Sequence, residues 1–137
     1  SLDRRQRQMC IRDRHYKKNG QLPSGEYFID VLKALKKYKP LAVTGSCVSV
    51  EDTLSMKEDL KNIDIPFGFK INAFKEIPFG WKPDATNPNE VLGKDTDITI
   101  EKFLDISQQL TDLGSKIMGG CCEITPEHIS KLKNLKF

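Results

Sequence analysis

Parallel βα units are the fold class this sequence predicts, and three observations predict it. Short apolar, partly β-branched runs alternate with longer stretches of helical period. Each run is followed by a residue with chemistry to offer: Cys47, Asn72, or the pair Cys121 and Cys122. No Gly-rich dinucleotide fingerprint follows any of the runs. In a parallel βα array every strand C-terminus opens on one face, and both barrels and open sheets place their sites there.

The elements follow in order. After a polar loop with Gly20, Pro23 and Gly25, a helix is expected with Ser24 as N-cap and Tyr27, Phe28, Val31, Leu32 and Leu35 on its apolar face. Pro40 ends it. Leu41 to Thr44 reads as a buried strand, with Gly45-Ser46-Cys47 just beyond its end. A second helix is expected over Val50 to Ile63, then a strand over Phe67 to Ile71 that ends at Asn72. Ala73 to Asp97 is irregular and rich in proline and glycine, a length that points to a functional or mobile loop. A third helix runs from Ile100 to Leu113 with Gly114 as its stop. Lys116 to Met118 is a brief strand, followed by Gly119-Gly120-Cys121-Cys122. The last helix is capped by Thr125 with Pro126 at its first position.

Length and composition bound the function. The chain has 137 residues, 38% hydrophobic and 30% charged, which suits one ordinary globular domain. A net charge of +3 is too small and too dispersed to argue for nucleic acid. No apolar run approaches the roughly 20 residues that cross a bilayer, and no secretory h-region appears. The cysteines therefore point to a reducing, cytoplasmic compartment and to metal or thiol chemistry. Residues 1–14, SLDRRQRQMCIRDR, are arginine-rich, whereas the rest uses lysine. They read as a non-native or disordered basic segment and are set apart from residues 15–137; Cys10 receives no role.

Cys47, Cys121 and Cys122 can converge at one end of such a sheet. Three soft thiolates suit zinc, and three protein ligands leave a fourth position open, as catalytic sites do. Gly119 and Gly120 are expected to turn the backbone sharply, so that consecutive cysteines reach one metal. Taken singly, a buried Cys is most often a small core hydrophobe. Vicinal thiols also serve redox exchange, although no CxxC supports that here. His128 as a fourth ligand would favour structural zinc, but it lies inside the last helix, where it reads as a surface residue.

At IMGGCCEITPEHI, Ile117 to Ile129, the chain resembles the homocysteine S-methyltransferase family, whose last barrel strand ends in GGCC before a capped helix. VTGSCVSVED (Val43 to Asp52) and FGFKINAF (Phe67 to Phe74) are similar to two earlier blocks, in family order. Ser46 stands where asparagine is common, Ile71 where proline is frequent, and Phe74 where glycine is frequent.

The resemblance implies the C-terminal part of a (β/α)8 TIM barrel, about three βα units corresponding to strands 6–8. It implies zinc held by Cys47, Cys121 and Cys122, with Asn72 contacting homocysteine and no catalytic group beyond the metal site. The implied reaction is methyl transfer to the homocysteine thiol, giving methionine. The donor would be S-methylmethionine, S-adenosylmethionine, betaine or a methylated folate or cobalamin carrier. Complete domains of the family are about twice as long, in line with the ~250 residues of such barrels, so the chain is expected to be a fragment. The Ala73–Asp97 loop, with Trp81, would cover the site, ordinary packing being the other reading for Trp81. The alternative function is a structural-zinc or thiol-redox βα module without methyltransferase activity.

Overall fold

The computed structural model describes residues 10–11, 20–22, 24–78 and 89–137. Trp81 lies outside them, as does most of the segment before residue 15. Four strands, β1 (Cys10–Ile11), β2 (Val43–Val48), β3 (Phe67–Ile71) and β4 (Ile117–Gly120), form one parallel sheet in the order β1-β2-β3-β4. The body of the sheet is β2 to β4; β1 adds two residues beside Thr44 and Gly45. Cys10 and Ile11, set aside on composition, thus pair with the sheet.

The connecting helices are α1 (Phe28–Leu35), α2 (Val50–Ser55), α3 (Lys57–Leu60) and α4 (Ile100–Asp112), with α5 (Pro126–Lys131) after β4. Sequential strand order with right-handed crossovers sends successive helices to the same face of a parallel sheet. The core agrees. Phe28 and Leu32 of α1, Val50 and Leu60 of α2 and α3, and Phe103, Ile106 and Leu110 of α4 form one buried cluster with Val43, Val48, Phe67, Phe69 and Ile71. The Phe28 and Phe69 rings meet at 5.6 Å. Each such aromatic contributes roughly 1.5–3 kcal/mol by leaving water. Side chains alternate along a strand, so Thr44, Ser46, Gly68, Lys70 and Gly119 belong to the opposite face.

Local sequence explains the element ends, with some departures from expectation. The N-cap of α1 is Tyr27, with no side-chain cap bond. Ser24 instead hydrogen-bonds the Glu26 carboxylate. Lys39, at φ 49°, and Pro40 close the segment. The expected Val50–Ile63 helix is two short ones, broken at Met56. Ser49 caps α2 by accepting the Asp52 N–H at 3.1 Å. Thr99 caps α4 in the same way, and Gly114, at φ 103°, follows its end. Strand β3 lies where the sequence placed it. Strands β2 and β4 run further towards the cysteines than expected, because hydrogen bonding to β3 prolongs them beyond their apolar runs.

Candidate metal centre

Cys47 sits inside β2. Ser46 pairs with Lys70 and Val48 with Ile71, so Cys47 is one residue too many on its strand, a β-bulge. Its φ is 59°, in the left-handed region that a non-glycine residue enters at a cost of order 1–3 kcal/mol. Val48 still reaches the helix-covered core. Cys47 does not. It joins a second small cluster with Phe74 and Leu92, against which Cys121 and Cys122 pack.

The C-terminal end of β3 holds all three cysteines. Cys121 N–H donates to the Ile71 carbonyl at 2.8 Å, and Ala73 N–H donates to the Cys122 carbonyl at 3.0 Å. Between them, Asn72 Nδ2 donates to the Cys47 carbonyl at 2.8 Å. Asn72 Oδ1 accepts the Phe74 N–H at 3.1 Å, and the side chain is buried. A carbonyl at one end and an N–H at the other fix which way the amide lies.

Consequently the three Sγ atoms lie within 4.8 Å of one another. Cys122 Sγ is 3.9 Å from Cys47 Sγ and 3.9 Å from Cys121 Sγ. A tetrahedral ion with metal–sulfur bonds of ~2.3 Å sets sulfurs about 3.8 Å apart, so the spacing fits zinc. Cys47 is buried and the other two are half-buried, which leaves access on their side.

The electrostatics favour a cation. Cys121 is pulled down to about 5, chiefly by the neighbouring Cys47 thiol; burial opposes this, and the Cys122 N–H and thiol and the Lys70 ammonium assist. Cys47 is pushed up, first by the neighbouring Cys121 and then by burial. Cys122 is pushed up by burial and by the charge on Cys121. Three thiolates this close would repel one another, and a dication would supply the counter-charge they require.

A family model described as homocysteine S-methyltransferase matches residues 7–135, nearly the whole chain. The chain belongs to the homocysteine S-methyltransferase family. No curated protein matches the chain. Family membership makes it a methyltransferase domain at family level, and the three thiols are a group that could hold a metal ion. No helix among the described residues is long and apolar enough to cross a membrane.

Two expectations about this family site need correction. Neither Gly119 nor Gly120 has a positive φ; the left-handed residue is Glu123, at 64°, after the cysteines. Gly120 is required by space, since a Cβ there would lie 2.3 Å from a methyl of Ile124. His128 is not a surface residue but is 4% exposed. Its Nδ1 accepts the Thr125 N–H at 3.2 Å, completing a capping box, and its Nε2 meets the Ile98 carbonyl at 3.3 Å. Its ring stands edge-on to Phe103. With both nitrogens engaged there, it is absent from the thiol group. Sequence reasoning also passed over Lys70, whose signal was a lone charge in the apolar strand FGFKI.

Proposed function

We propose that this chain is part of a zinc-dependent homocysteine S-methyltransferase, with Cys47, Cys121 and Cys122 as the metal ligands. The observation that carries the reading is the 3.9 Å spacing of sulfurs brought together from β2 and from the end of β4. The βα units correspond in this reading to strands 6–8 of a (β/α)8 barrel. Sequential strand order and a single helix-covered face support that assignment.

Zinc in this cradle would leave one position for the homocysteine thiol and would act there as a Lewis acid that lowers the thiol's pKa. With its thiol proton released to solvent, the homocysteine sulfur would attack the methyl carbon of a sulfonium, a quaternary ammonium or a methylated carrier. A carbon–sulfur bond would form, the donor would leave with its bonding pair, and methionine would result. Burial of Cys47 holds the closed side of the site, and the half-buried pair leaves the approach open. An asparagine amide has two N–H donors. Cys47 takes one from Asn72, so a homocysteine contact is compatible with the other. Among the described residues, His128 does not join the thiol group as a fourth ligand for the structural-zinc alternative.

The test is metal analysis and methyl-transfer assay of the intact protein and its Cys121→Ala variant. One zinc per chain and turnover are expected for the former, and loss of both for the latter. Stoichiometric zinc with near-normal turnover in the variant would remove these cysteines from the role.

A further inference from the structure

The three cysteines are held to the sheet in unequal ways. Cys121 and Cys122 follow β4 directly, and their backbone atoms bond Ile71 and Ala73 at 2.8 and 3.0 Å. Such bonds do not depend on side-chain identity. Cys47 stands out of register on a bulge, at φ 59°, where the ordinary ladder skips it. Its carbonyl is taken by a side chain, the Nδ2 of Asn72 at 2.8 Å. Asn72 lies 25 residues further along the chain, is 3% exposed, and is braced by the Phe74 N–H on its Oδ1.

We infer that Asn72 is a positioning residue that locks the Cys47 bulge, and so sets the third metal ligand against the Cys121–Cys122 pair. This role rests on the metal-centre reading above and is distinct from any contact with homocysteine. The physical reason is the strain at Cys47. A left-handed cysteine persists only where its surroundings over-determine it. The backbone N–H of Asn72, bonded to the Val48 carbonyl at 2.9 Å, fixes the residue after the bulge. The amide fixes the bulged residue itself. Without it, the Cys47 carbonyl is left buried without its donor, and the peptide gains by rotating away, taking Sγ with it. The other two thiols keep their anchors.

The experiment is cobalt(II) and zinc(II) titration of the full chain against a chromophoric chelator, with the thiolate-to-cobalt charge-transfer band as readout. Asn72→Ala removes both amide bonds. Asn72→Asp keeps the oxygen that accepts from Phe74 and loses the donor to Cys47. Both variants should bind metal 10- to 100-fold more weakly, the range seen when a partner of a metal ligand is lost. Both should show a charge-transfer band reduced towards that of Cys47→Ala. In the Cys47→Ala background, Asn72→Ala should cost nothing further, because the residue acts through that ligand.

Wild-type affinity in Asn72→Asp, or additive losses in the double variant, would overturn the inference. So would unfolding of both variants by circular dichroism, which would assign Asn72 to the scaffold alone. A wild-type chain that binds no metal would instead sink the metal-centre reading.

Discussion

At the scale of single residues, buried polar atoms separate by whether they have a partner. Asn72, Thr53 and Thr111 bury polar side chains that are all hydrogen-bonded. Ser107 differs: on α4 its Oγ is buried with no hydrogen-bond partner among the described residues. Such a hydroxyl gives up water and receives nothing in return. Alanine also has the higher helix propensity. Ser107→Ala should therefore stabilise the chain by about 0.5–1 kcal/mol, seen as a higher urea midpoint at unchanged slope. A lower midpoint would mean that the hydroxyl has a partner after all. The same distinction governs His128. Its place in the last helix read as surface, but it is buried, with the Thr125 N–H and the Ile98 carbonyl on its ring nitrogens.

At the scale of elements, the contact between β3 and β4 carries the cysteine pair to its place. Gly68 faces Ile117 across that contact, and a Cβ on it would lie 2.3 Å from the Ile117 carbonyl oxygen. The obstacle is backbone, which cannot swing aside as a flexible side chain can. Gly68→Ala should force the two strands apart at a cost on the order of 3 kcal/mol. Because Cys121 and Cys122 follow β4, metal affinity should fall with it. Urea unfolding and zinc analysis would check both effects. Intact zinc binding in a destabilised variant would show that the pair is held from the α5 side instead. Helix starts were legible at this scale: Thr125 and Pro126 stand where the capping rules put them. The first helix was not, since Ser24 bonds Glu26 rather than a helix N–H.

At the scale of the whole molecule, stability and the site are linked. The core lies on one face of a small sheet, and small chains bury a modest share of their surface. Thiols drawn from β2 and from the end of β4 would make metal binding, as proposed, a cross-link between distant segments. An ion that binds the folded state alone at 100 times its Kd adds ~2.7 kcal/mol. Thermal melts with zinc and with a strong chelator should then differ by roughly ten degrees. Coincident melts would mean that the folded chain holds no metal through these thiols.

The sequence by itself determined the alternation of strands and helices, the β3 span and the identity of the three thiols. These rest on local period, capping residues and residue chemistry, which neighbours in the chain can signal. It also carried the family, through blocks of adjacent residues such as IMGGCCEITPEHI. Only the tertiary structure decided the bulge at Cys47, the amide bond that meets it, the burial of His128 and the reason for Gly120. Each depends on which residue stands opposite which across a strand pair or a helix contact. A single extra residue in β2 takes Cys47 out of the main core and leaves Val48 in it. Local pattern cannot register that shift, because it is fixed by hydrogen bonds to a strand some 25 residues away.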